Sequence, residues 1–379
     1  MAKLQLLNDP DAPVLFELAD CDNGMQIAFA TLNVPKALNA LNLDMIRLLS
    51  PQLDAWSKDD KVAMVVLKGE GEKAFCAGGD VVSLYKAMAA NDGNDYVQTF
   101  FAQEYRLDYQ IHTYEKPILL WGNGIIMGGG LGLMAGASHK VVTESARIAM
   151  PEITIGLYPD VGGSYFLNKM PQGVGLFLGL TGASINASDA QYVGLADHFV
   201  EADKYGELVA GLLGVDWSST AQSNHEKLTQ SLQELEQASS QPPHSALQGI
   251  QNQLNELNLL DSLQAQVDYI LALPSDDNKW LSKAQKSLKH GSALSAVLVS
   301  EQLKAGQGKS LKECFMFELG MSVQAGQSGE FQEGVRALLI DKDGTPKWQF
   351  SSVSDVTDEA VAAFLTPKWS DDTHPLADM

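Results

Sequence analysis

An α/β fold with crossover connections is predicted for this chain of 379 residues. Three observations predict it. Apolar strand-like runs alternate with helical patterns through the N-terminal half. Two glycine-rich segments fall where strands give way to helices. A hydrophobic share of 45% at this length is enough to bury a large core.

Residues 25–31 and 62–67 read as strands, and the second is apolar throughout, as a strand buried on both faces would be. Between them Asn42 precedes a helical pattern of Met45, Leu48, Leu49, Leu53 and Trp56. Pro51 falls inside that pattern and predicts a kink or a break. Asp80 is placed to cap a helix running through Leu84 and Met88. A long helix is expected from about Asp95 to Tyr114, stopped before Pro117, with a strand at 117–121. After about residue 205 the character changes. Residues 216–245 are rich in Ser, Gln and Glu, with Pro242-Pro243 as a break, and read as a linker or an exposed helical insert. Beyond them Leu247, Ile250, Leu254, Leu257 and Leu260 recur at helical spacing, which predicts packed helices.

Charge and composition exclude several classes. With 26 basic against 47 acidic residues the net charge is −21, which argues against nucleic acid or an anionic membrane as partner. An anionic substrate then needs a local cluster of Lys and Arg. The three cysteines, Cys21, Cys76 and Cys314, are scattered, so no disulfide framework is expected and a reducing, cytoplasmic location is the simplest inference. Met-Ala-Lys-Leu-Gln at the start does not resemble a signal peptide, and no apolar run approaches membrane-spanning length. The seven histidines never adopt the spacing of a metal-binding helix, and no metal is expected.

The chemistry concentrates in residues 147–163. Glu152 and Asp160 each follow a proline, Pro151 and Pro159, in a largely apolar setting. Proline biases its neighbourhood against helix, so both acids are expected on loops. A carboxylate among Ile, Leu, Val and Met loses hydration, its pKa rises, and it can exchange protons near neutrality. The alternative is that both are turn residues or helix caps. Two glycine-rich segments precede them, 74–80 and 122–132, each feeding a helix N-terminus. Converging helix starts supply unpaired N–H groups for an oxyanion, whereas tight helix–sheet packing is the alternative use of such glycines. Glu104 lies on an apolar helical stripe with Val97, Phe100, Leu107 and Ile111. A charge there must face a cavity or pair, with Arg106 or Arg147 as candidate partners. Gly130-x-Gly132-x-x-Ala135 matches a dinucleotide fingerprint only loosely, and Ser164 lacks the second glycine of a nucleophile elbow. Cys76 reads as a small buried thiol rather than a nucleophile.

Taken together these segments resemble the crotonase (enoyl-CoA hydratase/isomerase) superfamily, and within it the 3-hydroxyisobutyryl-CoA hydrolase branch. The resemblance rests on 32–42, Phe75-Cys76-Ala77-Gly78-Gly79-Asp80, Gln103-Glu104-Tyr105, the Gly128–Gly130 run, Ala149-Met150-Pro151-Glu152, Pro159-Asp160-Val161-Gly162-Gly163 and 333–348. It is thin only across about 205–290. It implies a spiral of ββα units over 1–205, and a mostly helical C-terminal region, 206–379, packing on that core and completing an acyl-CoA site. It implies a thioesterase acting on a short 3-hydroxyacyl-CoA, most simply 3-hydroxyisobutyryl-CoA of valine catabolism, with an enoyl-CoA hydratase or isomerase as the alternative. The backbone N–H groups of Gly79 and Gly129 would hold the thioester oxygen, with Gly128 beside them. Glu152 and Asp160 would carry the chemistry, Glu152 either attacking the carbonyl or activating water. Glu104 would line the acyl pocket. Coenzyme A would lie along Lys36, Ala37 and Leu38, arriving as part of the substrate, so that no cofactor is needed. Family members often form trimers, so a homo-oligomer is possible here. Hydratases of the family carry Gly-Gly-Gly-x-Glu, and Gly132 stands where that glutamate would be.

Overall fold

The computed structural model describes residues 4–90 and 93–379; Met1–Lys3, where the reading against a leader begins, lie outside them. The chain forms two compact units, each assembled from separated stretches. The first comprises Met1–Gly79, Leu107–Ile148 and Ile185–Ser245, and the second Asp80–Arg106, Ala149–Ser184 and Ala246–Met379. These units do not coincide with a division at 205/206.

The strands are β1 (Gln5–Leu6), β2 (Val14–Asp20), β3 (Gln26–Leu32), β4 (Val62–Gly69), β5 (Ala74–Cys76), β6 (Ile118–Gly122), β7 (Ile125–Met127), β8 (His139–Val142), β9 (Arg147–Ala149) and β10 (His198–Phe199). One sheet runs β1-β2-β3-β4-β6-β8-β10 and a smaller one β5-β7-β9. The β1–β2 and β2–β3 pairs are antiparallel, and β3–β4, β4–β6, β6–β8 and β8–β10 are parallel. Along the chain a large-sheet strand is followed by a small-sheet strand and then by a helix or 3-10 turn. The sets are β4, β5 and Val81–Ala89; β6, β7 and Gly129–Gly136; β8, β9 and Glu152–Ile155. This is the repeating ββα order expected from the resemblance. Parallel neighbours demand such crossovers, and β4 is accordingly buried from Val62 to Leu67.

Asn42 caps the helix Leu43–Lys58, its side chain accepting from the Met45 amide at 2.9 Å. Against expectation that helix does not break at Pro51. Its face of Met45, Ile46, Leu49, Leu53 and Trp56 is buried. A proline inside a helix costs about 3 kcal/mol, less than burying several such side chains returns.

The Ser/Gln-rich stretch is also corrected. Residues Ala221–Gln237 form one helix that buries Asn224, Leu228, Leu232 and Leu235. Its leucines share a core with Ile27, Phe29, Met64, Val66 and Trp217. The stretch is therefore helical, as one of its two readings had it, but it packs into the first unit and is not an exposed insert; that unit ends at Ser245, just after Pro242-Pro243.

In the second unit Val97, Phe100, Phe101 and Tyr105 of the helix Gly93–His112 are buried. Tyr105 packs on Phe315 of the helix Leu311–Ser328, ring centroids 5.5 Å apart. The periodic leucines after 245 make two short helices, Ala246–Gly249 and Gln251–Leu257, with Leu247, Ile250, Leu254 and Leu257 buried.

Candidate active site

The glycine segments lie together in the first unit because of strand pairing. β5 and β7 are parallel with Cys76 opposite Ile126, so the residues that leave them run out side by side. A methyl group at Gly78 would sit 3.4 Å from the Met127 carbonyl oxygen, and one at Gly130 only 2.3 Å from the Cys76 carbonyl oxygen. Gly78 and Gly128 adopt φ of +114° and +48°, a region costly for any residue with a Cβ. Gly129 is the first residue of the helix Gly129–Gly136. Its N–H has no acceptor within the helix and stands at the positive end of the dipole. Gly130 is a packing glycine, which accounts for the loose dinucleotide match. Changing Gly130 to Ala is expected to cost at least about 1–3 kcal/mol by overpacking, read as a lowered melting temperature; an unchanged melting curve would refute the contact.

The segment carrying Lys36, Ala37 and Leu38 flanks Ala77–Gly79. The Ala77 amide donates to the Leu38 carbonyl at 3.0 Å and the Leu41 amide to the Gly78 carbonyl at 2.8 Å. Gly79 forms a bridge with Leu41. Lys36 and Ala37 are exposed on the 3-10 turn Pro35–Ala37, and Leu38 is half-buried. Asn39, which sequence reasoning did not single out, holds this turn. It is fully buried, accepts from the Val34 amide and donates to the Glu70 and Ala74 carbonyls, each at 3.0 Å. Its φ of +56° suits Asn, a residue that tolerates the left-handed region.

The acids lie in the second unit. Glu152 opens the 3-10 turn Glu152–Ile155 and is 5% exposed, with Oε2 buried and without a hydrogen-bond partner. Burial pushes its carboxyl well above the usual carboxylate range, and the charge of Asp160 pushes it further. Asp160 is 4% exposed and accepts from the Tyr105 hydroxyl at 2.7 Å. Burial raises it to about 6 against the pull of that donor. Asp160 follows Pro159 on irregular backbone as expected, whereas Glu152 follows Pro151 as the first residue of a short 3-10 turn rather than on a loop. Glu104 is also buried, on the helix that supplies Tyr105, while Arg106 turns to the Pro375 carbonyl and Asp378.

The turn after Asp160 is built around a fourth buried acid, Glu318, that the sequence reading missed. Val161 and Gly162 take φ of +50° and +89°. Their strained turn is held by Glu318, whose carboxylate accepts from the Gly162 amide at 2.7 Å, the Ser164 amide at 2.8 Å and the Ser164 hydroxyl. Ser164 is thus a ligand of the turn. Burial raises Glu318 to about 8, opposed by those three donors. The turn of Glu152 is backed in the same unit by the helix Glu330–Val335. A methyl at Gly156 would meet the Glu330 carbonyl at 2.4 Å, and one at Gly334 the Ile155 carbonyl at 2.3 Å. Arg336 follows, bridging Glu333, Asp341 and Asp343 at 2.8, 2.6 and 2.7 Å. That explains the run 333–343. Among the described residues no group of three or more His, Cys, Asp or Glu is arranged to hold a metal, and no helix is long and apolar enough to cross a membrane.

The candidate residues therefore form two sets: Lys36–Leu38, Gly79, Gly128 and Gly129 in the first unit, Glu104, Glu152 and Asp160 in the second. The first set offers backbone donors, the second carboxyl groups poised to exchange protons.

Residues 27–365 match the enoyl-CoA hydratase/isomerase family. Curated relatives include the mitochondrial 3-hydroxyisobutyryl-CoA hydrolases of Danio rerio, 42% identical over 87% of this chain and 85% of the relative, and of Bos taurus, 34% over 98% and 92%. The Homo sapiens enzyme of that name is 36% identical over 87% and 83%. Among solved structures, an enoyl-CoA hydratase from Rhodobacter sphaeroides aligns with TM-score 0.81 at 32% identity, covering 94% of this chain and 98% of its own. A carnitinyl-CoA dehydratase from Mycobacterium thermoresistibile aligns with TM-score 0.82 at 31%, covering 97% and 99%. The cytoplasmic expectation is contradicted by these relatives, which are named as mitochondrial enzymes. Thiols that form no disulfide require only that a compartment is not oxidising, so the cysteines could not choose among reducing compartments.

Proposed function

This chain belongs to the enoyl-CoA hydratase/isomerase family, and from that premise we propose that it hydrolyses 3-hydroxyisobutyryl-CoA, a thioester of valine breakdown, to free coenzyme A and the 3-hydroxy acid. The observation that carries the choice is a buried acid pair, Glu152 and Asp160, with glycine at 132. Adding water to an enoyl carbon needs a base and an acid flanking that carbon, and the hydratase pattern takes one of them from the position of Gly132. Cleaving a thioester needs one base or nucleophile at the carbonyl and polarisation of its oxygen. The relatives named as hydrolases support the same choice.

We assign the carbonyl-holding role to the Gly79 and Gly129 amides and the chemical role to Glu152. Glu152 attacks the carbonyl carbon to give a mixed anhydride, or draws a proton from water that attacks in its place. In either route the C–S bond breaks, the sulfur leaves as the CoA thiol after taking a proton, and water supplies the new oxygen of the acid. Asp160 manages the proton. Burial raises both acids above the usual range, and activity is expected to climb with pH as Glu152 loses its proton. Coenzyme A enters as part of the substrate along Lys36, Ala37 and Leu38, and the reaction needs no separate cofactor.

The test is a thiol-release assay over acyl-CoA thioesters, run beside loss of enoyl absorbance with a 2-enoyl-CoA. Thiol release from 3-hydroxyisobutyryl-CoA without enoyl turnover is expected. The reverse result would establish the hydratase reading, the activity named for the Rhodobacter sphaeroides protein. Glu104 is assigned to the substrate hydroxyl. Replacing it with Ala is expected to cut kcat/KM for the hydroxylated thioester by about 10²-fold or more and to leave isobutyryl-CoA nearly unaffected, because only a lost hydrogen bond distinguishes the two. Equal losses on both would remove Glu104 from that role.

A further inference from the structure

Behind Asp160 runs a line of buried hydroxyls. The Tyr105 hydroxyl lies 2.7 Å from Asp160 Oδ2 and 2.7 Å from Ser322 Oγ; Ser322 Oγ lies 2.6 Å from the Tyr158 hydroxyl, which lies 2.7 Å from the Glu318 carbonyl oxygen. Tyr105, Tyr158 and Ser322 are fully buried. The line spans four contacts between two end groups, yet its three hydroxyls carry three hydrogens. Each contact needs one hydrogen. When Asp160 is ionised, Tyr105 donates to it and Ser322 donates to Tyr105. Tyr158 then serves Ser322 or the Glu318 carbonyl, and one contact stays empty. When Asp160 is protonated it supplies the fourth hydrogen. The Tyr105 and Ser322 hydrogens turn round, Tyr158 donates to the Glu318 carbonyl, and all four contacts are filled.

We propose that Tyr105, Ser322 and Tyr158 form a reversible hydroxyl chain that sets the protonation state of Asp160, with Tyr105 and Tyr158 acting on it in opposite directions. They are positioning residues. Tyr105 supplies the charge-assisted hydrogen bond that an ionised Asp160 depends on. Tyr158 supplies the acceptor that the reversed, protonated arrangement depends on. Removing the Tyr158 hydroxyl leaves two contacts and two hydrogens, so that every hydrogen is used when Asp160 is ionised and the Ser322 hydrogen is left without an acceptor in the line when Asp160 is protonated. Titratable groups facing Asp160 from its surroundings are Glu152 on the preceding turn, Tyr158 on its own segment, Tyr105 on the helix Gly93–His112 and Glu318 on the helix Leu311–Ser328. Burial raises Asp160 while Tyr105 pulls it down, in accord with the first half of the proposal.

The inference rests on the hydrolase reading only for its consequence, since an Asp160 that exchanges its proton easily can serve a leaving thiol. The chain itself is tested without substrate. The carboxyl stretch is titrated by infrared spectroscopy in the full-length protein, with Asp160→Asn assigning the band. Tyr105→Phe is expected to raise the midpoint by about one pH unit, the difference between losing a charge-assisted and a neutral hydrogen bond. Tyr158→Phe is expected to lower it, and Ser322→Ala, which also ends the line early, serves should Tyr158→Phe not fold. The pH profile of thiol release is expected to shift in the same senses. Shifts of one sign in Tyr105→Phe and Tyr158→Phe, or no shifts, would overturn the chain. A wild-type protein that releases no thiol from any acyl-CoA would instead overturn the hydrolase reading and leave the infrared result standing.

Discussion

Replacing Glu152 with Gln is expected to lower kcat for thioester cleavage by about 10³-fold or more, the range for loss of a positioned acid or base. Binding should survive. Glutamine has the size of the neutral carboxyl that burial and Asp160 favour at this site, so calorimetry with free coenzyme A should give a dissociation constant within a few-fold of wild type. Stability supplies a second readout with a definite sign. The folded pKa of Glu152 lies above its unfolded value. Its contribution to stability is therefore fully present below the ordinary carboxylate range and is lost as pH rises through the folded value. Glutamine has no such loss. The variant should melt above wild type at alkaline pH and close to it at acid pH. Activity within a few-fold of wild type would remove Glu152 from the reaction.

Gly129→Pro carries the second large effect. Removing an oxyanion donor typically costs about 10²–10³ in kcat, but a backbone donor cannot be deleted by trimming a side chain. Proline deletes it. The first position of a helix is where proline is best tolerated, because that N–H has no partner within the helix. Gly129 holds that position, and glycine at 128 is the residue least restricted by a following proline. Thermal unfolding should change little, in contrast with Gly130→Ala one residue on. Free coenzyme A has no acyl carbonyl, so its affinity should also change little. Loss of affinity together with kcat would mean the ring blocks the ligand; undiminished kcat would mean the Gly129 amide holds no oxyanion.

The strands and helix caps were legible because their signals are local. Val62–Leu67 is apolar throughout, and Asn42 and Asp80 sit one residue before the helices they cap. Glu152, Asp160, Gly79 and Gly129 stood out by their neighbours, prolines in one case and glycines in the other. Glu318 and Ser322 had no such neighbours. Their partners lie more than 150 residues away, and no window of sequence carries that pairing. Tyr158 sat inside the suspect stretch and passed unremarked because a buried tyrosine and an exposed one are written alike. The helix Ala221–Gln237 was misread for a different reason. Its core face is spelled at steps of four, four and three by Asn224, Leu228, Leu232 and Leu235, but the Ser, Gln and Glu between them dominate the composition. Counting positions finds that face, whereas averaging composition hides it.

The hold of Glu318 on the Gly162 turn has a consequence during synthesis. The two residues are 156 positions apart, so a ribosome adding 5–20 residues per second reaches Glu318 roughly 8–30 s after Gly162. Through that interval a nascent polypeptide has its aspartate but not the clasp that shapes the loop behind it. Competence to act on thioesters arrives late in translation, once the distal helix has emerged.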